Sequence, residues 1–325
     1  MRAVVCRSFD GLGALTVEDL PEPVAGPGDV VVAMRACALN FFDTLIVAGR
    51  YQHRPVLPFS PGGEIAGVIE SLGPDVEGVA VGDRVIAHVG WGGAREKVVV
   101  PVAAVIPVPD GLDFVPASTL IVTWGTAIHG LADRGGVRAG ETVAVLGASG
   151  GVGQAGIEVA KLLGARVIAC AAGADKLAFC REAGADEVVD YEAEDLKVRL
   201  KELTGGRGVD IVFDLVGDRF GEPAVRALAW RGRHLVVGFA GGEIPRLPLN
   251  LLLLKGAASI GVFLGEHAAR EPEVFRDEMS RIVGWAAAGR IRPRVQATYP
   301  LGETVRALAE IAGRRVKGKV VVVPG

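Results

Sequence analysis

The sequence is poor in the residues from which disulfide or metal-stapled scaffolds are built. Its 325 residues include four cysteines, Cys6, Cys37, Cys170 and Cys180. No two are close enough for a CxxC pair, and none sits in a Cys/His cluster, which argues against a disulfide framework and a cysteine-rich zinc module. Cysteine usage of this kind points to the reducing cytoplasm. The purely apolar stretches fall well short of the ~18 residues a bilayer span requires, so no membrane partner is expected. The N-terminus has one basic residue, Arg2, before a short strand-like run, and makes a poor signal peptide. No basic block occurs and the formal net charge is −3, which argues against nucleic acid as the main ligand. The five histidines, His53, His88, His129, His234 and His267, are scattered. None falls into a Ser/His/Asp or metal-ligand spacing, so no catalytic histidine is assigned.

Glycine, by contrast, is abundant. The chain has 46, roughly twice the usual ~7% share. They follow no every-third-residue period, which excludes collagen, and they fall at the ends of apolar runs, where chains turn. Apolar residues make up 50% and charged residues 22%, as in soluble globular proteins, and the length suggests two domains.

Residues 1–115 read as β-rich. Strand-length runs occur at Arg2–Cys6, Val30–Ala36, Glu64–Leu72, Arg84–His88 and Lys97–Val100, separated by Pro/Gly turns. Asn40 can cap a helix through Val47. From about residue 120 the rhythm changes. Strands at Thr142–Leu146, Arg166–Cys170, Glu187–Val189, Val209–Leu215 and Arg233–Gly238 alternate with helical stretches at Gln154–Leu163, Ala174–Ala183, Leu196–Leu203 and Pro223–Leu228. That alternation predicts right-handed βαβ crossovers and a doubly wound parallel α/β sheet covered on both faces. A strand at Ser259–Phe263, an amphipathic helix over Val274–Ala288 and a last strand at Lys319–Val323 complete the chain.

One glycine cluster has a chemical reason. Gly147-Ala148-Ser149-Gly150-Gly151-Val152-Gly153 lies between a predicted strand and a predicted helix. A dinucleotide site needs glycine there for a tight turn, for close approach of backbone to pyrophosphate and for helix–strand packing. The helix N-terminus then offers unpaired N–H groups and partial positive charge to the phosphates. A purely structural βα turn is the alternative; the order strand, turn, helix, second strand favours the dinucleotide. The second strand ends in Cys170-Ala171-Ala172-Gly173, without the carboxylate that NAD sites usually place there. Lys176 follows and can meet a 2′-phosphate as a point charge, although a solvated helix lysine reads equally well. NADPH is therefore the expected cofactor, with Ala171 and Gly173 beside it.

The motifs together resemble the medium-chain dehydrogenase/reductase superfamily and, within it, the zinc-free quinone oxidoreductases related to zeta-crystallin. The resemblance covers the whole chain. It is carried by Asn40-Phe41-Phe42-Asp43-Thr44, Pro61-Gly62-Gly63-Glu64-Ile65-Ala66-Gly67, Gly82-Asp83-Arg84-Val85, Gly125-Thr126-Ala127 and Ala148–Gly153. Further matches are Gly184-Ala185-Asp186, Asp214-Leu215-Val216-Gly217 and Gly318-Lys319-Val320. It implies a GroES-like β-rich domain over residues 1–122 and 264–325, a Rossmann domain over 123–263 inserted in it, and a homodimer or homotetramer. It also implies that Asn40 and Tyr51 serve catalysis. Asn40, Thr126, Phe239 and Phe263 would face the nicotinamide half of the cofactor, Val216 would contact the cofactor, Lys319 would reach it or else be a plain surface lysine, and Tyr191 would help Lys176 hold the adenosine phosphate.

Zinc-dependent members place a cysteine ligand where this chain has Asn40 and a histidine ligand where it has Gly63. No cysteine occurs in Ala117–Thr126, where a third ligand would fall, so no metal ligand is assigned; Glu64 reads as a structural carboxylate. Without a Lewis acid, acceptors that delocalise incoming charge are favoured. The leading reading is zinc-independent hydride transfer from NADPH to a quinone. Reduction of an enone, enal or enoyl thioester is the alternative, and a non-catalytic, crystallin-like NADPH-binding protein is a third. Several bacterial quinone reductases carry a tyrosine where this chain has Leu45, which makes the expected pocket more apolar. Trp124 reads either as pocket lining or as core, and Cys37 as buried packing.

Overall fold

The structure, a computed structural model, describes residues 1–325. In chain order it begins with β1 (Arg2–Cys6), β2 (Leu15–Asp19), β3 (Asp29–Leu39), α1 (Phe41–Val47), β4 (Glu64–Leu72), β5 (Arg84–His88), β6 (Lys97–Pro101) and β7 (Val105–Pro107). Two helices follow, α2 (Phe114–Ala117) and α3 (Leu120–Ile128). Next come β8 (Thr142–Leu146), α4 (Gly151–Leu162), β9 (Arg166–Ala171), α5 (Ala174–Glu182), β10 (Glu187–Asp190), α6 (Leu196–Glu202), β11 (Val209–Asp214), α7 (Asp218–Arg226) and β12 (Leu228–Val236). The chain closes with α8 (Asn250–Lys255), β13 (Ala258–Gly261), α9 (Leu264–Arg270), α10 (Pro272–Ala287), β14 (Val295–Pro300), α11 (Thr304–Ala312) and β15 (Lys319–Val323). No helix is long and apolar enough to cross a membrane.

Two compact units emerge, one of Met1–Val122 with Met279–Gly325, the other of Thr123–Glu278. The first holds a seven-stranded sheet in the order β14-β15-β3-β4-β5-β7, with β6 paired to β3, and a separate β1-β2 hairpin sheet. Its pairings are antiparallel except β14 with β15. The last strand returns to the first unit: Val320 pairs with Leu39 and Val322 with Cys37. Burial of Val30, Val32, Met34, Ile65, Val85 and Val322 makes the core of this unit.

The second unit is a six-stranded sheet in the order β10-β9-β8-β11-β12-β13, parallel throughout. The first strand of the unit, β8, is buried along its whole length, because helices cover both faces. The chain winds outward from β8 to β10, then returns to β11 on the other side of β8. The carboxyl end of β8 is therefore the topological switch point, where open α/β sheets bind ligands.

Several elements carry no clear local pattern and are absent from the sequence reading, β2, β7, α3, α8, α9, β14 and α11 among them; among the elements it does name, the difference is largest between residues 218 and 236. The expected helix Pro223–Leu228 begins earlier, at Asp218, with Pro223 inside it. Leu228 already belongs to a strand that was expected only from Arg233. Arg231 at φ 60 and the register shift between Val209 and Ile211 interrupt the apolar alternation there, so the early half of β12 does not read as strand. Proline, read as a helix start, is in fact tolerated beyond the first turn.

Candidate functional site

In the Rossmann unit, the residues expected to hold a dinucleotide gather at the carboxyl ends of the parallel strands. Gly147, at φ 71, turns the chain sharply out of β8, and Gly150 stands at the N-cap of α4. Gly153 packs against the turn so closely that a Cβ there would collide with the Gly147 carbonyl oxygen and lie 2.6 Å from Ala148 backbone. Ser149 is buried. The result is a cradle of backbone at the N-terminus of a 12-residue helix, which suits a pyrophosphate.

Ala171 ends β9, and Gly173, at φ 84, caps α5, which carries Lys176. A carboxylate does approach this turn, although not one in the strand: Asp190, at the end of β10. Its Oδ2 accepts from the Gly173 N–H at 3.0 Å and its Oδ1 from the Glu192 N–H at 3.1 Å, so it is engaged with backbone. Tyr191 follows, its ring 4.3 Å from that of Phe220. Val216 lies just beyond β11. Phe239 follows β12, and Phe263, half-exposed, is the N-cap of α9 after β13. Thr126 is buried on α3. Trp124 is core, fully buried, with its indole N–H donated to Glu158 Oε2 at 3.2 Å.

A second group of expected residues forms a buried polar cluster in the β-rich unit. Lys319, at the start of β15, donates from Nζ to Asn40 Oδ1 at 2.6 Å, the Leu39 carbonyl at 2.8 Å and Glu64 Oε1 at 3.1 Å. Asn40 Nδ2 donates to the same Glu64 oxygen at 3.1 Å, and Glu64 Oε2 accepts from the Val122 N–H at 2.9 Å. Lys319 is 4% exposed and Glu64 0%, so the pair is shielded from water and its opposite charges compensate one another. Asn40 is also the N-cap of α1, where Asp43 reaches back to its backbone N–H at 2.7 Å and takes the Gly62 N–H at 3.0 Å. Burial outweighs those two hydrogen bonds and lifts Asp43 to about 7. Burial, together with Asp43, also raises the Tyr51 hydroxyl, whose ring stacks on Phe42 at 5.5 Å. Cys37 is fully buried and its thiol is pushed well up, chiefly by burial, as expected for packing.

Geometry also bears on a zinc-type site here. A Cβ at Gly63 would collide with the Phe42 ring and sit 3.1 Å from the Gly90 carbonyl oxygen. A histidine at that position would have to displace Phe42. Asn40 and Glu64 already share an ammonium group, so this donor set does not fit a catalytic zinc.

Two constellations escaped the sequence reading, which found no patterned histidine. His234 links Asp214 Oδ2, 3.0 Å from its Nε2, to Ser259 Oγ, 3.1 Å from its Nδ1. These residues lie on three neighbouring parallel strands, 20 and 25 residues apart in the chain. Asp214 Oδ1 holds the N–H groups of Val216 and Gly217, so the line steadies the turn after β11. The other constellation is the buried group His129, His267 and Glu278. Only strand order and helix packing bring such separated residues together, and no local signal could have found them.

Six parallel strands in this order, with a glycine turn at the switch point and a partner unit built on an antiparallel sheet, define a GroES-like plus Rossmann dehydrogenase/reductase fold. Comparison with known proteins agrees. Residues 26–110 match the family model "Alcohol dehydrogenase GroES-like domain" and residues 151–283 match "Zinc-binding dehydrogenase". A quinone oxidoreductase-like protein 2 homolog from Nematostella vectensis is 36% identical over 99% of this chain and 88% of its own length. A mycobacterial protein solved with NADPH is 31% identical, with a TM-score of 0.93 over 100% of both chains. The Escherichia coli quinone oxidoreductase, also solved with NADPH, is 27% identical with a TM-score of 0.91, again over 100% of both chains. The chain belongs to the quinone oxidoreductase branch of the medium-chain dehydrogenase/reductase superfamily, a family of oxidoreductases.

Proposed function

We propose that the protein is a zinc-independent, NADPH-dependent oxidoreductase that reduces a quinone. The single observation that carries the metal-free reading is the Lys319 ammonium bonded to both Asn40 and Glu64. A buried cation and an amide stand where zinc-dependent members hold their metal. When bound, the nicotinamide supplies the hydride; this chain supplies binding, orientation and a proton donor. The Gly147–Gly153 turn binds the pyrophosphate, with Ser149, Gly151 and Val152 contributing backbone. Lys176 and Tyr191 hold the 2′-phosphate, beside Ala171 and Gly173. Val216, Phe239, Phe263 and Thr126 set the position of the nicotinamide. Asn40, fixed by Lys319 and Glu64, orients the cofactor's ribose, and Tyr51, held protonated by burial, donates a hydrogen bond to the substrate oxygen. NADPH in two solved members supports the cofactor.

A quinone suits a site without a Lewis acid, since its ring delocalises the incoming charge. One observation favours a second substrate class: Leu45, part-buried on α1, leaves that position apolar where some bacterial members have tyrosine. An enone, enal or enoyl thioester fits such a wall. NADPH oxidation measured with 1,4-benzoquinone, a naphthoquinone, crotonaldehyde and crotonyl-CoA separates the readings. Quinone turnover supports the first and turnover of the thioester alone overturns it. Tight NADPH binding with no turnover of any acceptor leaves the non-catalytic reading. Four buried free cysteines support a cytoplasmic setting. The exposed β13 edge, with Trp230, Leu253 and Leu254 exposed in the same unit, supports a homodimer or homotetramer.

A further inference from the structure

Three helices of the Rossmann unit bring together His129, His267 and Glu278, all buried. His129 opens a widened turn directly after α3, in which the Gly135 N–H reaches back five residues to the Gly130 carbonyl. Turns of this kind are rare and recur at functional sites. His267 sits on α9 and Glu278 on α10. One potential ligand atom from each of the three lies within 4.8 Å of the other two.

The hydrogen bonding of this cluster does not close with neutral side chains. His267 is gripped by two carboxylates, Glu271 Oε2 at 2.6 Å from Nδ1 and Glu278 Oε2 at 3.0 Å from Nε2. A neutral imidazole has one N–H and can satisfy one of them. If Nδ1–H serves Glu271, the Nε2 lone pair faces a carboxylate oxygen with nothing positive between them. The His129 ring lies parallel to His267, centroids 4.0 Å apart and planes 11° apart. Its Nδ1 has the Asp133 carboxylate 3.0 Å away, but out of line for a hydrogen bond, so this buried nitrogen lacks an aligned partner. Arg134, the adjacent positive side chain, is turned to the Gly261 carbonyl at 3.3 Å.

We propose that His129, His267 and Glu278 bind a divalent first-row transition-metal cation of the zinc type, at a site separate from the one that carries catalysis. Two imidazole nitrogens and one carboxylate oxygen suit such a cation better than magnesium or calcium, which prefer all-oxygen shells. Bonds of about 2.1 Å bring tetrahedral ligand atoms to about 3.4 Å from one another, so the widest pair closes by rotation of its side chains and the stacked rings splay. Glu271 on His267 Nδ1 is the orienting carboxylate that metal-bound histidines usually carry. The backbone supplies a reason for the placement. His267 N–H bonds to the Phe263 carbonyl at 3.1 Å, and His129 lies one helical turn beyond Thr126. The cation ties together the helices that carry these two nicotinamide-facing residues. Cation binding does not depend on which acceptor the enzyme reduces.

The test uses the full-length protein, stripped with chelator and dialysed. Titration with ZnCl2 in a calorimeter is expected to show one site per chain, with a rise in Tm, and MgCl2 is expected to show neither. Cobalt(II) is expected to give the visible absorption of a four-coordinate site. Glu278→Gln and His129→Ala, each first shown by circular dichroism to be folded, are expected to abolish that spectrum, while Glu271→Gln weakens binding roughly tenfold. Absence of zinc binding overturns the proposal. Stoichiometric binding unchanged in both ligand variants also overturns it.

Discussion

Lys319 Nζ lies 2.6 Å from Asn40 Oδ1, across 279 residues of sequence. The contact exists because β15 pairs antiparallel with β3, Val320 opposite Leu39. It makes the C-terminal strand part of the buried polar cluster at Asn40 as well as of the sheet.

Lys319→Met removes the cation from a carboxylate that is wholly buried. Unfolding in urea is expected to show a loss of about 3–5 kcal/mol, the usual cost of leaving one member of a buried pair unpaired. Adding Glu64→Gln is expected to restore part of it. If the double variant is no more stable than the single one, the two residues are not coupled as described.

Asp43 gives the enzyme a pH dependence of a particular sign. Its folded pKa is about 7, above its ordinary value of 3.8, so between those values the native state binds more protons than the unfolded chain. Stability contributed at this group therefore falls as pH rises from about 4 to about 7, and levels off beyond. Asp43→Asn is expected to flatten that slope in denaturation measured across the range. It also lowers stability overall, since an amide offers one acceptor to two N–H donors. An unchanged slope refutes the assignment.

Lys176→Ala tests the cofactor assignment. NADPH affinity is expected to fall about tenfold, the weight of a charge-assisted contact, while NADH affinity stays. The preference for NADPH narrows accordingly. Fluorescence titration with both cofactors reads this directly, and equal affinities in the parent enzyme would defeat it.

Gly153→Ala puts a methyl group into backbone at the turn before α4. A stability loss of about 1–3 kcal/mol is expected from overpacking, with weaker NADPH binding. Normal Tm and normal affinity together would mean that the turn is looser than described.

Chelator treatment is expected to leave unchanged the rate of NADPH oxidation with the acceptor that is turned over, even if it strips a cation from the His129 cluster. A rate lost to chelator and restored by zinc in Glu278→Gln as well as in the parent protein would contradict the metal-free reaction.

Local chemistry made much of this molecule legible. The apolar run Thr142–Leu146, the glycines at 147, 150 and 153 and the helix behind them read as a dinucleotide turn, because a strand, a tight turn and a helix N-terminus are all properties of neighbours in sequence. Asn40 read as a cap for the same reason, and α1 begins directly after it. The segment 218–236 was misread because a proline inside a helix and a kinked strand both break the local pattern.

What the sequence determined by itself was therefore the βαβ rhythm, the glycine turn between β8 and α4 and the missing cysteine and histidine at the expected zinc positions. What only tertiary structure decided was partnership. The ammonium at Asn40 comes from the last strand, Asp190 occupies the turn beside Lys176, and His129, His267 and Glu278 meet from three helices. Sheet order and helix packing bring residues together across any separation in the chain, and no spacing in the sequence records that.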